Sequence, residues 1–186
     1  MHGPRHRDIT LRDNANFAKV FGFFEPGGRG IDDLVITNGS PTATSVSANF
    51  TPDDNGKKLA VLDGVGITDG TTMTYVDAQT VTLSDNATAT RAGVTAVVRA
   101  LNCSNYTTIG AQVKYKRGST ATIVLPLTVD DSRNAVGLFP ITAVQADIAA
   151  SVKKNGFWDW LMLSPDGPVP WYEGSVILKS GVVYPS

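Results

Sequence analysis

The alternation of apolar and polar positions is clearest in residues 156–179, GFWDWLMLSPDGPVPWYEGSVILK. Successive side chains of a strand point to opposite faces, so Trp158 and Trp160 share one face. Both faces are apolar except at Asp159, and we expect both to be covered. Proline, glycine and aspartate within 164–170 predict a turn. The segment is therefore predicted to form a β-hairpin that serves packing.

A second hairpin is predicted at residues 7–24, RDITLRDNANFAKVFGFF. Ile9 and Leu11 alternate with polar residues, and the alternation resumes at Phe17 after an Asp-Asn pair that favours a turn. Proline and three glycines within 25–30 are expected to end the second strand.

Residues 32–103 have a pattern of short strands separated by turn dipeptides such as Asn-Gly and Asp-Gly. Strands at this spacing predict a small all-β sandwich or barrel. The predicted strands are 34–37, 44–48, 58–62, 73–76, 80–83 and 94–99.

One helix is predicted near the C-terminal hairpin. Thr142 followed by Gln145 matches a capping box. Apolar residues then recur every four positions from Val144 to Val152, which indicates a helix of about three turns that ends before Gly156. Further strands are predicted at 112–116 and 120–129.

Charge and composition exclude several classes of function. The 186 residues include 16 basic and 17 acidic side chains, so broad binding to nucleic acid or to an anionic membrane is not expected. The single cysteine, Cys103, excludes an intrachain disulfide and a multi-cysteine zinc site. His2 and His6 are the only histidines, which argues against a histidine-dependent catalytic triad. We expect no signal peptide and synthesis in a cytoplasm.

Three further features are candidates for chemistry. The glycine-rich loop 64–70 lacks the Lys-Ser/Thr ending of a phosphate loop and is interpreted as a turn. The aspartate pairs 32–33, 53–54 and 130–131 lack the spacing of a calcium loop and are interpreted as turn carboxylates. Cys103 is interpreted as a small buried or interface side chain.

Two sets of segments resemble bacteriophage tail proteins. Residues 7–28, 107–118, 141–150 and 156–182 resemble the immunoglobulin-like module of phage baseplate and minor tail proteins, of the upper-baseplate N-terminal type. The matching positions are 109–111, Thr142, 160–163 and 174–176. Residues 44–98 are similar to a Thr/Ala-rich β module of phage tail fibres and spikes.

The resemblance implies an all-β fold: an immunoglobulin-like β-sandwich with one short helix, interrupted by an inserted small β-sandwich or barrel domain. The expected domains are a discontinuous one formed by residues 7–31 plus 107–182, and an inserted acidic one, 32–106, with terminal arms at 1–6 and 183–186 that dock on neighbouring proteins. Eight aspartates against four basic residues make the stretch 32–103 acidic. A tandem arrangement is the alternative, but it leaves the hairpin at 9–24 without a partner, and an isolated hairpin is marginally stable in water.

The resemblance also implies a function. The chain is expected to be a non-enzymatic structural component of a bacteriophage virion, made in the host bacterial cytoplasm. It would be a minor tail or baseplate-type protein that forms a homo-oligomer and contacts other virion structural proteins. No cofactor, metal, nucleic acid or membrane partner is expected. The alternatives are a host-receptor or glycan-binding adhesin domain of a tail fibre or spike, and a capsid-surface or head–tail accessory protein.

Four aromatic residues are the candidate contact site: Trp158, Trp160, Trp171 and Tyr172. Trp and Tyr are common anchors of protein interfaces, and their rings also form platforms for sugars. The sequence leaves three roles open for them, namely the core, a protein interface and a site for a host-surface glycan.

Overall fold

The computed structural model describes residues 5–12, 15–116, 123–152, 155–164 and 167–179, and most of these lie in strands. The predicted all-β fold with one short helix is confirmed. The strands are β1 (Arg5–His6), β2 (Ile9–Arg12), β3 (Phe17–Gly22), β4 (Phe24–Ile36), β5 (Thr42–Thr44), β6 (Leu59–Val61), β7 (Met73–Asp77), β8 (Thr80–Leu83), β9 (Arg91–Ala100), β10 (Thr107–Lys114), β11 (Ile123–Val129), β12 (Leu138–Ala143), β13 (Gly156–Ser164) and β14 (Gly167–Lys179). The helix α1 is Gln145–Ser151.

The chain divides into two compact units. The first, called the sheet unit here, consists of the described residues of 1–20, 105–131 and 140–186. The second, called the barrel unit, consists of 21–104 and 132–139. Within the described ranges, no helix has the length and apolar character needed to cross a membrane.

The sheet unit is organised around the tryptophan hairpin. The strand order is β1-β14-β13-β10-β11-β12-β3, and β2 also pairs with β14. Strands β13 and β14 are antiparallel from Gly156 opposite Val176 to Ser164 opposite Gly167, which confirms the predicted hairpin. The strands are longer than expected. The predicted turn was 164–170, but residue 164 and residues 167–170 are paired in the hairpin. Residues 165 and 166 lie outside the described part.

The second predicted hairpin, at residues 7–24, is wrong. Strand β2 pairs in parallel with β14, from Ile9 opposite Val176 to Arg12 opposite Lys179, and β3 instead neighbours β12. The local alternation correctly indicated two strands. It could not indicate that the N-terminal strand prefers an edge formed by the last strand, where Ile9 and Leu11 become buried.

The terminal arms were predicted to dock on neighbouring proteins. Arg5 and His6 form β1, which pairs in parallel with Tyr172 and Glu173 of the same chain. Residues 1–4 and 180–186 lie outside the described part of the structure.

The helix is shorter than predicted and is capped differently. Thr142 lies in β12, and the residue preceding α1 is Val144, whose side chain makes no capping bond. The backbone N–H of Gln145 is instead satisfied by Asn16 Oδ1 at 2.8 Å. A capping box was therefore the wrong interpretation, because a side chain from a distant segment supplies the cap.

The barrel unit is a six-stranded sheet in the order β6-β9-β4-β5-β8-β7. The two edge strands are joined by a bridge between Lys58 and Thr72 and by hydrogen bonds from Leu59 N to Thr71 O (3.1 Å) and from Met73 N to Lys57 O (2.9 Å). The sheet thus closes on itself, which removes exposed edges. Five of the six strands predicted in this region are present, but the one predicted at 44–48 is wrong, because β5 is Thr42–Thr44 and residues 45–48 form a loop.

The interior of the barrel is apolar and continuous. It includes Leu34, Leu59, Val81 and Val98, none of which is accessible to solvent. The barrel unit therefore has a hydrophobic core of its own. Burial of this kind stabilises a fold by about 25 cal/mol per Å² of apolar surface removed from water.

The division between the units differs from the predicted positions 31/32 and 106/107. Strand β4 runs without interruption through residues 25–30, because their proline and glycines form a bulge in the pairing with β9 instead of ending the strand. Residues 21–31 therefore lie in the barrel unit.

The segment 132–139 also lies in the barrel unit, although the sequence suggested otherwise. Phe23 N donates to Gly137 O at 2.8 Å, and the Phe23 and Phe139 rings meet edge to face with centroids 5.6 Å apart. Gly137 has a φ of 62°, and a Cβ at this position would lie 2.6 Å from Leu101 O. Only glycine permits this close approach of three chain segments.

Candidate functional site

The tryptophan side chains of β13 lie in the interior of the sheet unit. Trp158 is 2% exposed and Trp160 is fully buried. Each tryptophan has one small neighbour in a flanking strand: Trp160 is opposite Ala111 in β10, and Trp158 is opposite Gly174 in β14. Alternating large and small residues across neighbouring strands gives room for both indole rings.

Both indole N–H groups have partners, as buried donors require. Trp158 Nε1 donates to the Arg7 carbonyl oxygen at 2.6 Å, and Trp160 Nε1 donates to Thr108 Oγ1 at 3.3 Å. A Cβ at position 174 would lie 1.9 Å from the Arg7 carbonyl oxygen, so Gly174 is what allows the N-terminal segment to reach the first indole.

Of the three roles that the sequence left open for Trp158 and Trp160, their burial supports the core role. A ring that solvent does not reach is not available to a glycan or to a partner protein in this conformation. Trp171 and Tyr172 lie in β14, where Tyr172 is opposite Trp160, but their side chains are outside the described part of the structure. Their role stays a prediction.

The opposite face of the same strands carries a buried ion pair that the sequence analysis missed. Lys114 Nζ donates to Asp159 Oδ2 at 3.0 Å, and the Lys114 side chain is only 4% exposed. Asp159 is in register with Glu173 on the neighbouring strand. The only signal in the sequence was Asp159, the one polar residue between two tryptophans.

The Lys114–Asp159 pair is too confined to act on a substrate. The cavity beside it, bordered by Lys116 and Glu173, has a volume of about 40 Å³. This volume accommodates about one small molecule of the size of water, whereas ligand sites usually exceed about 300 Å³. We assign the pair a structural role in which the aspartate neutralises a lysine that the sheet buries.

In the barrel unit, the most deeply buried charge is Asp54, whose side chain is fully inaccessible. Its carboxylate accepts from Arg29 Nη2 at 3.1 Å, from Arg99 Nε at 2.5 Å and from the Thr51 backbone N–H at 2.9 Å. Burial acts to raise the pKa of Asp54, but these hydrogen bonds outweigh it and hold the pKa below its ordinary value.

Two further aspartates of the barrel unit are bound by arginines. Arg91 donates two hydrogen bonds to the Asp63 carboxylate, of 2.9 and 2.7 Å, and these bonds lower the pKa of Asp63. Arg133 binds Asp69 through Nε and Nη2 at 2.7 and 2.6 Å, and also donates to the carbonyl oxygens of residues 61 and 62. Such two-point pairs fix orientation as well as charge.

These arginine pairs explain the glycine-rich loop 64–70. It contains bends and turns and no helix or strand, as predicted, and the carboxylates of Asp63 and Asp69 bind Arg91 and Arg133. The segment that follows is a strand, β7, and not the helix that a phosphate loop requires.

The aspartate pairs considered as calcium ligands are used in other ways. Asp33 accepts from Ser45 and Ser47, Asp54 binds arginines, and Asp131 Oδ1 accepts from Thr108 Oγ1 at 2.7 Å. Among the described residues, no group of three or more His, Cys, Asp or Glu is placed to hold a metal ion. Cys103 is fully buried, as predicted.

Asp33 organises the loop that follows β5. Its carboxylate accepts from the Ser45 and Ser47 hydroxyl groups and from the Ser47 N–H at 2.8 Å. The Ser45 bond is the largest of several effects that lower the pKa of Asp33 from 3.8 to about 2. Val46, between the two serines, is 77% exposed.

We predict that Asp33 stabilises the barrel unit only above acidic pH. Because its folded pKa lies below its unfolded pKa, the stabilisation is present above pH 3.8 and is lost as the pH falls through about 2. Asp33→Asn should therefore be less stable than the wild type at pH 5, and this difference should shrink toward pH 2. Urea unfolding at several pH values checks it.

The exposed neighbour provides the matched control. Asp32→Asn removes a carboxylate one residue away that is exposed in the barrel unit, and its stability should follow the wild type at each pH. A constant difference between wild type and Asp33→Asn from pH 5 to pH 2 would contradict the assignment. A carboxyl-carbon NMR titration of Asp33 with a midpoint near 4 would contradict it as well.

Comparison with known proteins assigns no family. No protein-family model matches the chain, and no curated protein matches it.

Proposed function

We propose that the chain is a non-enzymatic structural component of a bacteriophage virion. It acts as a minor tail or baseplate-type protein through protein–protein contacts in a multicopy assembly. The resemblance of segments 7–28, 107–118, 141–150 and 156–182 to an immunoglobulin-like baseplate module motivates this proposal, and the all-β architecture is compatible with it.

The observation that carries the proposal is how the charged side chains of the barrel unit are used. Its four arginines, 29, 91, 99 and 133, each bind an aspartate of the same unit. These charges cross-link strands and loops that are far apart in sequence, which rigidifies the unit. Side chains held in this way are suited to keeping a protein surface rigid. They are less suited to catalysis, in which a side chain must exchange partners during the reaction.

The position of the N-terminal segment supports the same proposal. Residues 5–12 complete the sheet unit as added strands along β14, with Arg7 N donating to Glu173 O at 2.8 Å. Strand addition at a sheet edge is a common mode of protein association, because main-chain hydrogen bonds supply affinity. A sheet that accepts strands at its edge is suited to a part that assembles.

The test is the composition of the particles whose genome encodes this chain. Quantitative mass spectrometry of purified particles should find the chain in several copies per particle, and immunogold labelling should place it on the tail. Its absence from purified particles, together with a monomeric state of the isolated protein that binds none of the particle proteins, would overturn the proposal.

The same experiment separates the alternatives. Label on the capsid surface or at the head–tail junction would favour an accessory protein of the head. Binding of the isolated chain to host cells, lost on treatment of the cells with glycosidases, would favour the adhesin. Burial of Trp158 and Trp160 removes two of the four residues that would form a sugar platform, so we rank the adhesin lower.

A further inference from the structure

We propose that a cavity beside the N-terminal strand of the sheet unit binds a small oxyanion, a carboxylate or phosphate group carried by a compact molecule. The cavity has a volume of about 350 Å³ and is lined by Thr10 and Arg12 of β2, by Asn16 and Phe17, and by Lys179 of β14. This volume falls within the range of about 300–1,000 Å³ that is usual for ligand sites. It is nearly ninefold larger than the cavity beside Lys114.

Two cations lie next to each other at this cavity. Arg12 and Lys179 are direct partners in the parallel register of β2 and β14, so their side chains leave the sheet on the same side. Both are exposed, and in the part of the chain that the structure describes neither has an ion-pair partner. Like charges directly opposite on neighbouring strands destabilise a sheet, and a bound anion would relieve this repulsion.

The contrast with the barrel unit makes this pair distinctive. There, Arg29 and Arg99 share an ion pair with Asp54, and Arg91 is paired with Asp63. The arginines of the barrel unit are therefore paired within that unit, whereas Arg12 of the sheet unit faces a cavity beside a second cation.

The remaining polar groups of the lining favour an anion over a cation. Asn16 uses its Oδ1 to accept the Gln145 N–H at 2.8 Å, so its amide Nδ2 is the atom left to donate to a ligand. Thr10 offers a hydroxyl group that also donates. Arginine matches the two oxygens of a carboxylate or phosphate through paired N–H bonds, and lysine adds a compact charge.

The cavity also has an apolar wall, which sets the size and type of the ligand. Phe17 is half-buried and lies beside two alanines, Ala15 and Ala18. A ring or short carbon body attached to the oxyanion can pack there, as a sugar does against an aromatic face. A monosaccharide that carries an acidic group has the required shape and charge.

This inference does not depend on the proposed virion role, because it concerns binding by the isolated chain. The chain could be a virion protein without an anion site, or it could bind anions without belonging to a virion. Each outcome is measurable, so the two proposals can fail separately.

The experiment is an NMR titration of the full chain with D-glucuronate, glucose 6-phosphate and neutral glucose. We expect the amide signals of residues 10–18 and 176–179 to shift with glucuronate or glucose 6-phosphate, with Kd on the order of 1 mM. The tighter of the two acidic probes identifies the oxyanion as carboxylate or phosphate. Binding should weaken as salt is raised, because both cations are exposed.

Three variants complete the test. Arg12→Gln and Lys179→Gln should each weaken binding about tenfold, as expected for loss of a charge-assisted hydrogen bond. Lys116→Gln, which removes an exposed lysine of the same unit outside this cavity, should leave Kd unchanged. Unchanged tryptophan fluorescence verifies folding, and either glutamine variant alone suffices if the other is unstable.

Three results would overturn the proposal. The first is the absence of shifts at residues 10–18 and 176–179 with both acidic probes. The second is equal binding of glucose and glucuronate, and the third is a Kd that neither Arg12→Gln nor Lys179→Gln changes.

Discussion

Replacing Asp54 with alanine is expected to lower the free energy of unfolding of the barrel unit by about 3–5 kcal/mol, the usual cost of breaking a buried ion pair from one side. The carboxylate is fully inaccessible and is paired with two arginines. Without it, Arg29 and Arg99 face each other at short range, and Arg99 is itself only 13% exposed. The Thr51 N–H would lose its acceptor as well.

The asparagine variant sharpens this prediction. Asp54→Asn keeps the volume of the side chain but replaces one acceptor oxygen with an N–H₂ group. Both carboxylate oxygens accept hydrogen bonds: Arg99 donates to Oδ1, and Arg29 and Thr51 donate to Oδ2. In either orientation of the asparagine amide, its N–H₂ group would therefore face at least one of these donors. We expect a loss close to that of alanine.

Asp53→Ala is the matched control, because it removes an exposed carboxylate one position away. Its effect should stay within about 0.5 kcal/mol. Hydrogen exchange at the amides of β4 and β9 reports on the barrel unit, since all three tryptophans lie between residues 158 and 171 and report on the sheet unit. Equal protection of these amides in Asp54→Ala and Asp53→Ala would contradict the prediction.

The strands could be predicted from the sequence because their signals are local. Glycine turns precede or follow several of the short strands of the barrel, and Gly39, Gly56, Gly64 and Gly70 all have positive φ. Alternation of side chains then assigns the faces. The tryptophan hairpin was predicted for the same reason, since its two strands are neighbours in sequence.

The long-range partners of other strands and side chains could not be predicted, because they lie far away in the sequence. Trp158 binds a carbonyl group 151 positions away, and the helix is capped by an asparagine 129 positions before it. Arg133 joins the barrel through a carboxylate 64 positions earlier. Nothing in the local pattern around these residues distinguishes the partner that was found from other exposed polar groups.

The candidate sites show the same limit. Aromatic residues with apolar neighbours indicated burial or an interface equally well, and only their exposure separates the two. Arg12 and Lys179 are at opposite ends of the chain, so their juxtaposition follows from the parallel pairing of β2 with β14. A sequence pattern alone would have placed both on solvated strand ends.

Replacing Trp160 with alanine is expected to destabilise the sheet unit by about 3–5 kcal/mol, because it removes a fully buried indole and leaves a cavity between three strands. Trp160→Phe retains an aromatic ring and loses chiefly the bond to Thr108 Oγ1, so its cost should be about 1–2 kcal/mol. Urea unfolding followed by the fluorescence of the two remaining tryptophans measures both.

This pair of variants also decides between a core role and a contact role for the tryptophan. If Trp160 is a packing residue, loss of stability in Trp160→Ala accompanies any loss of binding to particle proteins or host cells, and Trp160→Phe restores both. A Trp160→Ala protein with an unfolding free energy within about 1 kcal/mol of the wild type, but without binding, would place the ring in a contact surface. That outcome would contradict its complete burial and would restore the glycan or interface role that the sequence left open.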